Sequence, residues 1–240
     1  MKKNTYTLHD RVSYSRIDKD RKLRFASVID AMQDCALFHS EEVGRSAAAL
    51  AEINKAWLVN SWHVVFIRRP DMGEYFDVHT WAHKFASVFG HRNFHMETPD
   101  HETLAYANSL WFYYDSETNM PVRVPAEESD AYGTEAPYDM DYSVSRKISM
   151  PEDLKHVGSI EVNPSHLDSN HHVNNGQYVH LAAGYLPLEY DVGDFRAEYR
   201  TAAHYGDTME VHMAQNDDVT SIIFSDEKME PYFLSEFRPA

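Results

Sequence analysis

Apolar residues recur along the chain with two different periods, and the switches between them mark out the elements. Phe25, Val28, Ile29, Met32 and Ala36 fall at i, i+3, i+4, i+7 and i+11, which is one face of an α-helix. A strand-like stretch precedes them at residues 6–14, and others follow at 57–67, 76–83, 88–97 and 103–114. In the last of these Leu104, Tyr106, Asn108, Leu110 and Phe112 share a face, because side chains alternate along a strand. The second half repeats the order. A short strand at 158–162 leads to Tyr178, Leu181, Ala182 and Tyr185 at helical spacing, and Pro187 stops that helix. Strands are then expected at 195–203, 208–215, 219–225 and 232–237.

Each half thus reads as one helix followed by a run of antiparallel strands, an α+β plan. A curved sheet wrapped around a helix buries both apolar faces together. Residues 117–153 differ in texture, with Pro121, Pro125, Pro137 and Pro151 among acidic residues and tyrosines. This stretch reads as an ordered linker whose tyrosines cover something apolar. The expected division is an N-terminal unit over 1–120, a linker over 121–153 and a C-terminal unit over 154–240.

Composition narrows the function. A net charge of −16 opposes nucleic-acid binding, which needs a basic surface. No apolar run approaches the roughly 20 residues that cross a bilayer, and no apolar stretch follows the charged start, so neither a membrane span nor a signal peptide is expected. The single cysteine, Cys35, allows no intrachain disulfide and fits a reducing cytoplasm; its simplest role is that of a small buried hydrophobe. His166, His171, His172 and His180 lack metal-ligand spacing, so neither a metal nor a cofactor is expected.

Residues 163–178 read NPSHLDSNHHVNNGQY. Local physics alone makes this a capped helix start, with Asn170 or Asn174 as N-cap and Asp168 favouring the positive helix end. The pattern Asp168-x-Asn170-x-His172-Val173-Asn174-Asn175-x-x-Tyr178, however, resembles the signature of acyl-acyl-carrier-protein thioesterases. Trp57-Leu58-Val59 leading to Arg68-Arg69-Pro70 and Gly73-Glu74 is similar to that family too. So are Thr80-Trp81, Arg92-x-Phe94 and Ala105-x-Ala107-x-Ser109-x-Trp111.

The resemblance implies a tandem double hotdog, two helix-wrapped antiparallel sheets joined into one long sheet. It also implies hydrolysis of fatty acyl thioesters carried on the phosphopantetheine arm of an acyl carrier protein, in fatty acid biosynthesis. Asp168, Asn170 and His172 match the family's catalytic Asp, Asn and His. Asp168 would activate water or attack the thioester carbonyl, His172 would orient water or assist proton transfer, and Asn170 would supply a hydrogen bond. The N–H groups opening the next helix would hold the oxyanion. The acyl pocket is implied for the first half. One departure stands out. The family's usual Glu and Cys on the strand about thirty residues after the His correspond here to Ala202 and Ala203. Three outcomes are open: Asp168 acts as the only carboxylate, His204 substitutes through a shifted register, or activity is weak or lost. An acyl-CoA thioesterase and a non-hydrolytic acyl-binding hotdog protein are the alternatives. Oligomeric state is left open, a homodimer being one arrangement. Arg68, Arg69, Arg92, Arg146, Lys147, Arg196 and Arg200 are candidates for a basic patch that would meet the carrier.

Overall fold

The computed structural model describes residues 4–240. They form two compact units, one of residues up to 60 together with 64–142, the other of 61–63 together with 143–240.

The first unit runs β1 (Thr5–Arg11), α1 (Phe25–Glu42), α2 (Ala47–Ala51), β2 (Lys55–Phe66), β3 (Tyr75–Ala86), β4 (Phe89–Glu97), β5 (Thr103–Asp115), β6 (Met120–Pro121) and α3 (Ala126–Tyr132). Its strands lie in the order β1-β3-β4-β5-β2. The β1/β3, β3/β4 and β4/β5 ladders are antiparallel. The stripe Phe25, Val28, Ile29, Met32, Cys35 and Ala36 of α1 is buried and packs on β1 and β3. Burying each of the larger members, Phe25, Val28, Ile29 and Met32, contributes roughly 1.5–3 kcal/mol. Gly44, at φ +73°, ends the helix, a left-handed conformation that glycine adopts without steric cost. Cys35 is fully buried, its Sγ donating to the Val78 carbonyl at 3.2 Å, and burial pushes its thiol up to about 12.

On β5 the core-facing set is Ala105, Ala107, Ser109, Trp111 and Tyr113, all buried. Tyr106 and Asn108 point to the other face, where the following segment covers Tyr106 and His83 Nε2 meets Asn108 Oδ1 at 3.1 Å. Tyr138 stacks on Tyr106 and on His95, each with ring centroids 5.1 Å apart. The Tyr138 N–H and the Tyr142 hydroxyl both donate to Asn93 Oδ1. The stretch read as a linker therefore contains a helix, α3, and tyrosines that pack on the first unit.

The second unit runs β7 (Lys155–Glu161), α4 (Asn175–Ala183), β8 (Val192–Tyr199), β9 (Thr208–Asn216), β10 (Val219–Ser225) and β11 (Pro231–Pro239). The strand order is β8-β11-β10-β9-β7, with each adjacent pair antiparallel. Tyr178 of α4 stacks on Phe233 at 5.3 Å and lies within 6.3 Å of Tyr199 and Phe224. Ile148 and Leu154 cover Ile223 and Leu234.

The expected strand through Ala203 stops four residues early. β8 ends at Tyr199, opposite Phe233, and its partner β11 begins at Pro231; beyond it, among the described residues, only the Arg200 N–H still reaches β11, at the Tyr232 carbonyl at 3.0 Å. Residues 200–203 leave the sheet, and this frees Ala203 and His204 to meet the segment around His172.

Candidate active site

The same local structure is built twice in this chain. Residues 11–25 and 161–175 each leave a strand, make a 3-10 turn, bend back through two bridge residues and enter a helix. The 3-10 turns are Tyr14–Arg16 and Pro164–His166. The tightest points are Arg21 and His171, at φ 63° and 62°, a region that histidine visits more readily than bulkier side chains do.

An aspartate organises both loops. In the second, the Asp168 N–H donates to the His172 carbonyl at 2.8 Å and its own carbonyl accepts from the His171 N–H at 3.1 Å. Its Oδ1 accepts from the backbone N–H of Asn170 at 2.8 Å and of His172 at 3.4 Å. Asp18 repeats this in the first loop, with Oδ1 taking the N–H groups of Asp20 and Lys22 at 2.9 and 3.2 Å.

The second carboxylate oxygen differs between the copies. Oδ2 of Asp18 is held by the Arg69 guanidinium. Burial pulls the Asp18 pKa up, but Arg69 and the backbone donors outweigh it and hold the group below its ordinary range. The partner segments of the two loops can be superposed residue by residue. Leu23 N–H meets the Pro70 carbonyl at 2.9 Å and Val173 N–H meets the Ala203 carbonyl at 2.9 Å, while Lys22 bridges to Asp71 and His172 to His204. The position of Arg69 is therefore taken by Ala202, and Oδ2 of Asp168 has no hydrogen-bond partner among the described residues. The first copy is a neutralised structural turn. The second presents a half-buried carboxylate with one oxygen fixed and one available.

Beside it stands a pair of imidazoles. The His172 and His204 rings meet edge to face with centroids 4.7 Å apart. Burial lowers the His172 pKa, the neighbouring His204 lowers it further, and Asp168 opposes both, so His172 favours the neutral form. The backbone of the 203–204 segment is pinned from two sides. The Ala203 N–H donates to the Tyr178 hydroxyl at 3.0 Å, and the His204 N–H donates to Asp207 Oδ2 at 2.8 Å. On the far side of His172 the chain enters α4. Asn174 is the N-cap, its side chain accepting from the Gly176 N–H at 2.8 Å, and the Asn175 N–H opens the helix with no partner inside it.

Asp168 and His172 are thus brought together in one turn. Asn170 contributes its backbone N–H to Asp168 and is itself exposed. Ala202 and Ala203 bring no polar side chain. The imidazole of His204 reaches the ring of His172 without a shifted register, because the strand has already ended. The other carboxylate of this segment, Glu198, is buried and engaged, accepting from the Ile148 N–H at 2.8 Å and pairing with Arg200 at 2.8 Å. Several candidates for a basic patch are likewise committed within the fold. Arg68 holds Glu74 and Glu102, Arg69 holds Asp18, and Arg196 holds Glu236.

The first unit contains a pocket of about 420 Å³, counted out to its mouth. It lies under α1, against β3 and β4, with Leu37, Trp57, Phe85 and Trp111 giving it apolar and aromatic walls and Arg92 and Tyr132 at its polar part. At Gly90 a Cβ would come within 3.2 Å of both Phe85 and Trp57, so those rings would have to give by a few tenths of an ångström to admit one. Such a lining, mostly apolar and aromatic with a few polar groups, is the kind that suits apolar ligands. Among the described residues, no helix is long and apolar enough to cross a membrane.

Comparison with known proteins gives a consistent result. The family model for the acyl-ACP thioesterase N-terminal domain matches residues 3–132, and that for the C-terminal domain matches residues 151–231. No curated protein sequence matches the chain. Among solved structures, an acyl-ACP thioesterase from Bacteroides thetaiotaomicron superposes with a TM-score of 0.88 at 20% identity, over 98% of this chain and 97% of that one. The 12:0-ACP thioesterase from Umbellularia californica gives a TM-score of 0.88 at 18% identity, over 100% of this chain and 99% of that one. The fold shared with them is the tandem double hotdog.

Proposed function

The chain belongs to the acyl-ACP thioesterase family, whose members are thioester hydrolases of fatty acid synthesis, and on that premise we propose that Asp168, His172 and Asn170 carry out the hydrolysis. The observation that carries this reading is the uncommitted Oδ2 of Asp168, set against the neutralised Asp18 in the duplicated loop. In the proposed reaction Oδ2 takes a proton from water as the water oxygen bonds to the thioester carbon. The carbonyl oxygen becomes an oxyanion, held by the Asn175 N–H at the positive end of α4. When it collapses, the carbon–sulfur bond breaks and the pantetheine sulfur leaves, taking up the proton. Neutral His172, in contact with His204, orients the water and relays that proton. Asn170 fixes the carboxylate through its backbone N–H and faces solvent where the carrier arm would arrive.

The pocket of the first half, residues 1–120 with Tyr132 added from the following segment, is proposed to hold the acyl chain, and residues 154–240 to do the chemistry. The inert, buried Cys35 thiol suits the reducing cytoplasm in which we place the reaction. The test is Asp168→Asn, which retains the Oδ1 acceptor of the turn. It should keep the fold by circular dichroism and lose about 10²–10⁴-fold in acyl-ACP hydrolysis. Turnover at the wild-type rate would remove Asp168 from the mechanism.

A further inference from the structure

Most buried or half-buried arginines of this protein face a carboxylate. Arg16 meets Asp10, Arg45 meets Glu128, Arg69 meets Asp18 and Arg196 meets Glu236. Arg92 does not, although it is 8% exposed. Its Nη1 donates to His39 Nδ1 at 3.0 Å and to Thr80 Oγ1 at 3.2 Å, and its guanidinium carbon lies 5.4 Å from the centroid of the Tyr132 ring. A guanidinium has five N–H donors. Those on Nε and Nη2 have no partner among the described residues, and Arg92 lines the apolar pocket.

An unmodified hydrocarbon end placed here would strip water from a cation and give nothing back. An oxygen would accept the spare donors, and a charged donor makes that bond stronger than a neutral one does. Beside Arg92, the Tyr132 hydroxyl donates to Ser40 Oγ at 2.9 Å, adding a second polar group to the same part of the wall. Trp57, Phe85 and Trp111 leave the rest of the pocket suited to methylenes.

We propose that Arg92 makes this pocket selective for acyl chains bearing an oxygen, as hydroxyl, keto or carboxylate, on the part remote from the thioester. This rests on the reading of the pocket as the acyl site.

The experiment compares kcat/KM for acyl-ACP thioesters over a ladder of medium to long chains, each unmodified or carrying a hydroxyl, keto or carboxylate group near its far end. At one or more lengths the oxygenated chain should exceed its unmodified counterpart by about tenfold or more. A carboxylate alone being preferred identifies charge pairing as the source, and all three identify hydrogen bonding. Arg92→Met should bring the ratio to about one while thermal unfolding stays near wild type, because a buried cation without a counterion adds little stability. If that variant fails to fold, Arg92→Lys, which keeps the charge and loses the fork, should give an intermediate ratio. Equal rates for oxygenated and unmodified chains at every length, or a ratio that survives Arg92→Met, would overturn the proposal. Binding of the corresponding methyl esters to Asp168→Asn, followed by quenching of Trp57 and Trp111, reads the same preference without catalysis. A wild-type protein that cleaves no thioester but binds oxygenated esters tighter would therefore count against the hydrolase reading and leave this one standing.

Discussion

At the residue scale, one position separates a structural turn from the turn proposed to react. Arg69 holds Oδ2 of Asp18, and Ala202 leaves the corresponding oxygen of Asp168 without a partner. Ala202→Arg should therefore reproduce the Arg69 contact on Asp168, keep or raise stability, and cut hydrolysis by about 10²–10⁴-fold, the range for losing a general base. Unchanged kcat/KM in this variant would mean that Oδ2 is not the reacting oxygen. The imidazole pair gives a second prediction. Burial first, and then His204, hold the His172 pKa below its ordinary value. With neutral His172 as the working form, the acid limb of kcat/KM should lie below the ordinary histidine range. His204→Ala exposes His172 and removes the like-charge neighbour, so the limb should move up in pH. The stability sign agrees. A folded pKa below the unfolded one means that the unfolded chain binds the proton first as pH falls. His172 thus costs stability through that window, and less of it in His204→Ala. A pH–rate profile of the two proteins decides the first point.

At the scale of elements, α4 fixes the loop proposed to react through Tyr178. Its hydroxyl accepts the Ala203 N–H at 3.0 Å in a buried setting. Tyr178→Phe leaves that donor unsatisfied and should cost about 1–3 kcal/mol, read as a lower Tm. It should also reduce kcat, because the segment carrying His204 loses its tether to the helix. Asn174→Ala removes the N-cap and should cost about 1 kcal/mol. Much of this arrangement was legible in the sequence. The helical stripe from Phe25 to Ala36 and the alternating strands came from periodicity, and the 168–175 segment from its polar density and its resemblance. The early end of β8 was not legible, because it depends on where its partner β11 begins, which only strand pairing reveals. Nor were α2 and α3, each too short to show a repeating apolar stripe. The equivalence of Arg69 and Ala202 was hidden for the same reason, since Arg69 and Asp18 lie far apart in the chain and are joined only by the fold. From the sequence His204 reaches the site only through a shifted register, whereas the strand end brings it opposite His172 directly.

At the scale of the whole molecule, a chain of net charge −16 keeps its cations busy holding carboxylates ionised. The Arg68 guanidinium, ahead of the opposing effect of burial, holds Glu74 below the usual carboxylate range. It does the same for Glu102. At Glu97 burial pushes the other way, and His101 and His79 prevail. A carboxylate whose folded pKa is depressed stabilises the fold above its unfolded pKa, roughly 4.3 for Glu. That contribution disappears as pH falls through the folded value. Glu128 and Asp34, raised chiefly by burial, run the other way and partly offset the loss. Arg68 is 31% exposed and its partners Glu74 and Glu102 are 26% and 55% exposed, so solvent screening limits what the cluster adds. Arg68→Met should therefore lower stability only modestly at neutral pH, by about 1 kcal/mol at most. The gap in Tm between variant and wild type should begin to narrow as pH falls below about 4.3 and should close only below the depressed folded pKa values of Glu74 and Glu102, where the carboxylates are protonated in both folded and unfolded states. A gap that stayed constant down to acid pH would show that Arg68 acts through packing of its alkyl stem and not through the charges it holds.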